Sequence, residues 1–315
     1  MKKRISIVIG IVKNVEGEIF ISRRHNNLHQ GNLWEFAGGK VEHNETLQTA
    51  LARELKEEID IDVISSTPLI QLQHDYSDRN VVLSVFEITK FTGIPKSLLN
   101  QESAWVKISD LDNYDFPAAN HAILNALKLP TFYAILNDDS DDLRLKLNHL
   151  LSQNIKLIQA RLKNLTASEI REFLEIAYPL CKKNQAVFLL NSAVKEAFEL
   201  AIDGIHLTSF DLLKLNARPE NLRWLSASCH NLEELQHAEK IGVDFVVIAP
   251  VLKTKTHPEI EPLGWDVFAK FVSTGNLPVY ALGGLKKTDL EQAQNLGAQG
   301  IAGISTFLTK QFYSR

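Results

Sequence analysis

Apolar and polar residues alternate along 4–13 and again along 18–23, which predicts two β-strands around a turn at Asn14–Gly17. Between 45 and 59 the pattern changes period. Leu47, Ala50, Leu51 and Leu55 recur at helical spacing and form one apolar stripe, with Asn44 as the expected cap. Strands are predicted near 68–74 and 80–90, a short strand opens at Trp105-Val106, and a helix covers 118–128. From Pro130 onward the chain alternates regularly. Strands are expected at 131–136, 156–161, 186–191, 204–207, 223–228, 244–249, 278–282 and 300–304, with helices between them, as at 167–183, 231–241, 264–274 and 288–296. Eight such units with short gaps predict a closed (β/α)8 TIM barrel, and an open doubly wound sheet is the alternative.

At 315 residues the chain exceeds the usual size of one domain. We expect two, at 1–129 and 130–315, the first α+β in pattern and the second α/β. The hydrophobic fraction of 45% suffices for ordinary cores. Net charge is −4; residues 1–129 hold 14 basic and 17 acidic side chains, and the rest hold 20 and 21. That balance argues against a general nucleic-acid-binding surface. Cys181 and Cys229 are far apart and give no disulfide framework, as suits a reducing compartment. The N-terminus has a basic start and an apolar run of about seven residues. A signal peptide would need a small-residue cleavage site that this run lacks. No segment reaches the ~20 apolar residues of a membrane span. The expectation is a soluble cytoplasmic protein with neither nucleic acid nor membrane as a partner.

The chemistry concentrates in Gly39 to Ile61, GKVEHNETLQTALARELKEEIDI. Glu54, Glu57 and Glu58 stand at helix offsets of zero, three and four, so they share a face. Three carboxylates there repel one another unless a cation sits among them, and oxygen ligands suit Mg²⁺ or Mn²⁺. A solvated acidic face is the alternative. The surroundings favour a site: Gly39, then Glu45, then Arg53-Glu54-Leu55, Glu57-Glu58 and apolar Ile61 form a long pattern of fixed spacing. Gly38 and Gly39 permit close approach of backbone to a phosphate or metal.

This pattern resembles the Nudix box of hydrolases that cleave nucleoside diphosphates linked to another group. Within that family the segments GIVKN, IFISRR, LWEFAGGK and YDFPAANHAIL are similar to the MutT type, which removes pyrophosphate from oxidised dGTP. The resemblance covers 1–129 and implies an α/β/α sandwich with a mixed sheet. It implies Gly38, Glu54 and Glu58 as metal-binding residues, with Glu57 assisting, Glu54 able to accept a water proton, Arg53 pairing with carboxylates and Glu45 supporting the loop. Arg24, Phe36, Asp78, Arg79 and Asn120 fall where such proteins shape the nucleotide site. Asn120 has two readings: an amide selecting a purine edge, or a helix cap after Pro117. Two positions depart from the family. Asp60 replaces a Gly expected in a left-handed conformation, which Asp tolerates better than most residues. Leu99 replaces a loop Glu, while Gln101 keeps its place and Glu102 is the nearby substitute. Losing one such group slows catalysis by roughly 10²–10⁴.

In the second domain the barrel pattern puts a site at the C-terminal strand ends. Gln159, Arg161, Lys163, Asn191, His206, Ser228, His230, Thr254-Lys255-Thr256, Gly283-Gly284 and Gly303 fall there. Backbone amides of the last two loops suit a phosphate. IQARLK, DGIHL, SASCH, VVIAPVLKTKTHP and ALGG resemble thiamine phosphate synthase and its relative, the TenI-type thiazole tautomerase, over most of 131–308. The synthase binds Mg²⁺ through Asp residues at positions that we align with Ser192 and Phe210, neither of which binds it well. The tautomerase needs no such metal and uses a His in proton transfer, where His230 fits; the other reading of His230 is a cap on the following helix. His206 reads as a packed, hydrogen-bonded strand residue.

The resemblances together imply a Mg²⁺-dependent (or Mn²⁺-dependent) pyrophosphohydrolase. Its substrate would be a small nucleotide, 8-oxo-dGTP, converted to 8-oxo-dGMP and pyrophosphate in nucleotide-pool sanitation and DNA repair. A phosphate-bearing ligand would occupy the barrel. The alternatives are a thiamine-pathway enzyme whose first domain cleaves thiamine-related pyrophosphates, and a weakened nucleotide-binding protein.

Overall fold

The computed structural model describes residues 3–27, 30–75, 79–139, 142–194, 197–254 and 258–308. The chain divides into two compact units, Met1–Lys128 and Leu129–Arg315.

The first unit runs β1 (Lys3–Val12), β2 (Ile19–Arg23), β3 (Trp34–Glu35), β4 (Gly38–Lys40), α1 (Leu47–Ile59), β5 (Asp62–Asp75), β6 (Arg79–Thr92), β7 (Ser103–Val106) and α2 (His121–Lys128), with 3-10 turns at Ile108–Asn113 and Ala118–Asn120. A mixed sheet has the order β4-β1-β6-β5, and a smaller one the order β3-β2-β7. β1 lies parallel to β6, while β4 and β5 are antiparallel to their neighbours. Alternation along β1 sends Val8 and Val12 into a cluster with Leu51, Leu55 and Ile59 of α1. Ile9 and Ile11 join a second cluster with Ile123 and Leu124 of α2. The result is the expected helix–sheet–helix layering.

Local chemistry explains the boundaries. The helix starts at Leu47, and its cap is Thr46, whose Oγ1 accepts from the Thr49 N–H at 3.1 Å. Asn44, the predicted cap, instead sits in the turn before it at φ 65°. Asp60 ends α1 in the left-handed region at φ 58°, ψ 38°, its carboxylate paired with Lys56 at 3.0 Å and Lys96 at 3.3 Å. β5 begins earlier than predicted. Its polar Ser65-Ser66-Thr67 stretch breaks the apolar alternation, and bulges shift the register there. Pro68 is tolerated because β5 is an edge strand. The predicted helix at 118–128 divides into a 3-10 turn and α2.

In the second unit, β8 (Phe132–Asn137), β9 (Leu157–Arg161), β10 (Val187–Asn191), β11 (Gly204–Leu207), β12 (Trp224–Cys229), β13 (Phe245–Ile248), β14 (Val279–Ala281) and β15 (Gly300–Gly303) close into a barrel. All eight pairings are parallel, which excludes the open sheet. The outer layer holds α3 (Leu143–Ser152), α4 (Ala167–Lys183), α5 (Ser209–Lys214), α6 (Leu232–Ile241), α7 (Gly264–Thr274) and α8 (Leu290–Asn295). Outward residues such as Ala134, Leu136, Ile158 and Leu190 pack under the helices. Inward residues near the strand starts, among them Tyr133, Leu157, Leu189, Trp224, Phe245 and Tyr280, fill the interior. Phe245 lies 5.5 Å from both Tyr133 and Tyr280, ring centre to ring centre. Two residues further along several strands the inward positions turn polar: Gln159, Asn191, Ser226. The barrel is thus sealed by apolar side chains at one end and lined with hydrogen-bonding groups toward the other.

No helix among the described residues is long and apolar enough to cross a membrane.

Candidate functional sites

In the first unit the site forms where α1 passes over the Gly38-Gly39 strand. Gly38 has φ +152°, and a Cβ there would stand 2.1 Å from the Val8 carbonyl oxygen. A Cβ on Gly39 would stand 2.2 Å from Glu54 Oε2. The glycine pair therefore brings the Glu54 carboxylate against backbone. The Gly38 N–H donates to Glu58 Oε2 at 2.9 Å. Glu58 and Glu54 thus face one backbone strand from successive turns of one helix.

Arg53 braces this arrangement. It donates to both oxygens of Glu45, at 3.0 and 2.9 Å, to Glu54 Oε1 at 2.8 Å and to the Lys40 carbonyl at 3.0 Å. Its contact with Glu57 is longer, at 3.4 Å, and Glu57 is 62% exposed. Glu45 also accepts from the Glu42 N–H at 3.0 Å, so it ties the loop to the helix. Among the described residues no cation forms an ion pair with Glu58. Burial pushes its carboxyl up to about 7, with Glu35 and Glu54 adding repulsion; the Gly38 N–H and the charge of Arg24 work the other way. A half-buried carboxylate pressed by two others, beside the Gly38 backbone, has the chemistry of a divalent-cation ligand. Among the described residues no three His, Cys, Asp or Glu side chains already converge on one point. Mg²⁺ needs only one or two protein carboxylates when substrate phosphates supply further oxygens. The residues present fit that ion.

Glu35 joins the site although no sequence motif marks it. Its Oε2 accepts from Arg24 at 2.8 Å and its Oε1 from Gln101 Nε2 at 3.3 Å. Burial raises its carboxyl, against the pull of Arg24. The available signal is an acidic residue three positions before the glycine pair. Arg24 Nε is buried without a partner. Phe36 stacks on Phe116 with centroids 5.1 Å apart. Asn120 is buried, and its N–H donates to the Pro117 carbonyl, closing a 3-10 turn. Asp78 lies outside the described residues. Arg79 opens β6, but its side chain also lies outside them.

The loop bearing Leu99 does not supply a carboxylate. The Leu99 side chain is exposed, and its carbonyl lies 2.8 Å from His25 Nε2. Glu102 pairs with Arg23 at 3.2 Å and is 61% exposed. Its carboxylate is held at the surface by that pair.

In the barrel, the structure joins Gln159, Asn191, His206 and Ser228 in one buried network at the C-terminal half of the interior. Arg161 ends β9 beside Asn137. Lys163 is lowered by desolvation and by Arg161, with Asp138 opposing. The His230 ring, exposed at the rim, has Nδ1 2.8 Å from the Ala249 carbonyl. The helix after it is capped by Asn231, whose side chain accepts from the Glu234 N–H. His230 is therefore not the side-chain cap. Gly283 and Gly284 adopt positive φ, 108° and 69°, and a Cβ on Gly283 would stand 2.8 Å from Pro250. A Cβ on Gly303 would meet Thr306 Oγ1 at 2.2 Å. Thr254 is half-buried; Lys255 and Thr256 lie outside the described residues.

One position needs correcting. Phe210 is 69% exposed, with Lys214 Nζ 3.6 Å from its ring centre. The acid that faces Ser192 is the next residue, Asp211, with Oδ2 2.7 Å from Ser192 Oγ and 2.8 Å from Thr208 Oγ1. A one-residue difference at the start of α5 separates the two placements. The pair is one serine and one carboxylate rather than two non-ligands.

Comparison with known proteins agrees with this geometry. Residues 8–126 match the NUDIX domain family, and residues 132–307 match the thiamine monophosphate synthase family. The "8-oxo-dGTP diphosphatase" of Escherichia coli is 35% identical over 126 residues, which is 40% of this chain and 98% of that protein. The protein of the same name from Proteus vulgaris is 44% identical over 90 residues, 29% of this chain and 80% of that one. The "Putative thiamine-phosphate synthase 2" of Aquifex aeolicus is 32% identical over 185 residues, 58% of this chain and 100% of that protein. The chain therefore belongs to two families at once, NUDIX in its first unit and thiamine monophosphate synthase in its second.

Proposed function

We propose that domain 1–129 is a Mg²⁺-dependent nucleoside triphosphate pyrophosphohydrolase that converts 8-oxo-dGTP to 8-oxo-dGMP and pyrophosphate. The observation that carries this is the placement of Glu54 and Glu58 against the Gly38-Gly39 backbone, with Arg53 bracing the helix. Glu54, Glu58 and the Gly38 carbonyl would hold the ion, with Glu57 outermost. Bound Mg²⁺, or Mn²⁺ in its place, neutralises phosphate charge and acidifies water. Glu54 accepts the proton of the attacking water. Arg24, oriented by Glu35, meets the phosphates. Phe36 shapes the base pocket and Asn120 reads the base edge, since an amide both donates and accepts. Asp78 and Arg79 complete the nucleotide site.

Domain 130–315 binds a phosphate-bearing ligand at the C-terminal end of the barrel. Arg161 and Lys163 supply positive charge, Gln159, Asn191, Ser228 and Thr254 supply hydrogen bonds, and the loops at Gly283-Gly284 and Gly303 supply backbone amides. His230 is the proton-transfer group of a tautomerase-like reaction. The Ser192–Asp211 pair counts against synthase chemistry, which draws on two carboxylates. A second reading rests on family membership of the barrel: the first domain would cleave thiamine-related pyrophosphates. We place the protein in the cytoplasm, with nucleotide-pool sanitation and DNA repair as its role and no nucleic acid or membrane as a partner.

The test compares 8-oxo-dGTP, dGTP and thiamine diphosphate with Mg²⁺, following pyrophosphate and phosphate separately. Preferential release of pyrophosphate from 8-oxo-dGTP supports the proposal. Preferential turnover of thiamine diphosphate moves it to the second reading.

A further inference from the structure

Two loops at the barrel mouth are tied together by one carboxylate. Asp138 directly follows β8, and Asn164 and Leu165 lie between β9 and α4. Asp138 Oδ2 accepts from the Asn164 N–H at 2.6 Å and from the Leu165 N–H at 3.1 Å. The Asn164 side-chain amide completes the tie, donating to Asp138 Oδ1 at 3.1 Å and to the Asp138 carbonyl at 3.2 Å. Hydrogen bonds from backbone N–H groups to a carboxylate are charge-assisted and stronger than neutral ones. The next residue of the loop is fixed separately, because Thr166 and Glu169 form a capping box at the start of α4.

Lys163 stands between this tie and the end of β9. Leu157 faces the barrel interior, as does Gln159, which donates to Tyr133. Strand alternation puts Arg161 on the same face, two residues nearer the mouth. Its charge bears on His206 inside the barrel and on Lys163 outside it. Burial and then the Arg161 charge push the Lys163 amine down, with Asp138 opposing. Yet among the described residues no ion pair joins Lys163 or Arg161 to a carboxylate. Both Asp138 oxygens are turned to the Asn164–Leu165 stretch instead. Two like charges are thus held near one another with no counter-ion between them.

We propose that Asp138 is a positioning residue: by gripping Asn164 and Leu165 it holds Lys163 beside Arg161, so that the two cations form a preset cradle for an anionic group. The ligand of that cradle rests on the phosphate-binding reading of the barrel, whereas the grip does not. The sign of the effect separates this role from plain electrostatics. Asp138 is itself negative, so if only its charge mattered, removing it would strengthen anion binding. A grip on the loop requires the opposite, because a freed Lys163 must be ordered again when the anion binds.

The full chain is titrated calorimetrically with inorganic pyrophosphate, with EDTA present, as wild type, Asp138→Ala, Lys163→Ala and the double variant. We expect Asp138→Ala to weaken binding about 5- to 20-fold and Lys163→Ala to weaken it at least as much. The double variant should bind no more weakly than Lys163→Ala alone, since Asp138 acts through Lys163. Hydrogen exchange at the Asn164 and Leu165 amides should quicken about 10-fold or more in Asp138→Ala, while the amides of β8 and β9 stay protected. Asp138→Asn, which keeps one acceptor oxygen, serves if Asp138→Ala unfolds and should give an intermediate loss. Unchanged or tighter binding in Asp138→Ala overturns the positioning role, and so do losses that add in the double variant. Unchanged exchange at Asn164 and Leu165 overturns the grip. Pyrophosphate binding that is absent from the wild type, or insensitive to Lys163→Ala, overturns the phosphate reading and the cradle with it, while hydrogen exchange still decides the grip.

Discussion

The Glu54 carboxylate rests against Gly39 so closely that a single added carbon on Gly39 would lie 2.2 Å from Glu54 Oε2 and 2.5 Å from Oε1. Carboxylate and glycine are one feature. Gly39→Ala should push Glu54 off the strand and break its bond to Arg53, while leaving the apolar stripe of α1 in place. We predict a loss of roughly 10²-fold or more in kcat and weaker Mn²⁺ binding by electron paramagnetic resonance, with little change in helix content. Retention of both activity and Mn²⁺ affinity would show that Glu54 does not need this approach.

Glu102 tests the loop. Its carboxylate is held by Arg23 on the surface. Glu102→Gln should therefore change kcat less than about two-fold, because exposed pairs contribute ~0–1 kcal/mol. Leu99→Glu should raise kcat, since it puts a carboxylate at the position where the MutT-type resemblance expects one. A large loss in Glu102→Gln would mean that the loop rearranges on binding and delivers Glu102.

Asp211 and Ser192 make a prediction in the barrel. They share a hydrogen bond at 2.7 Å. Ser192→Asp would set two carboxylates face to face, which repel without a cation and bind a hard divalent ion with one. The variant should melt lower than wild type in EDTA and recover with added Mg²⁺, measured by thermal denaturation. A variant insensitive to Mg²⁺ would show that the two side chains diverge once both are charged.

These three sites also show what the sequence could convey. The helix carrying Glu54 and Glu58, the Arg53 brace and the left-handed Asp60 were legible, because period, spacing and conformational preference are properties of neighbouring residues. The barrel was legible from its repeat. Glu35 was not, because its meaning comes from Arg24 and Gln101, which meet it only after β2, β3 and the Leu99 loop fold together. Asp211 is displaced by one residue because the Ser192 and Thr208 contacts at the start of α5, rather than periodicity, decide which residue faces Ser192. Thr46 was missed as the cap because Asn44, also a good capping residue, stood two positions before it.

His206 sets a pH dependence. Burial first, and then the Arg161 charge, push its ring from an ordinary 6.5 down to about 3; the facing Tyr133 hydroxyl stays protonated throughout this range. The folded form is thus the weaker base. Unfolded chains take up a proton between about 6.5 and 3 that folded chains refuse, so this contribution is complete above 6.5 and is lost as pH falls. At pH 5 the loss is roughly 2 kcal/mol relative to pH 7.5. Urea denaturation at the two pH values should show this drop in the barrel transition and a smaller one in His206→Gln. Equal drops would place the acid sensitivity elsewhere.

We propose that α1 and the Gly38-Gly39 strand build a working pyrophosphohydrolase despite Leu99. The most direct test is conversion of 8-oxo-dGTP by the full chain with Mg²⁺, wild type beside Glu54→Gln, with both products identified. We expect 8-oxo-dGMP and pyrophosphate from the wild type and a loss of roughly 10²-fold or more in the variant. No conversion by wild type, or equal conversion by both, would contradict it.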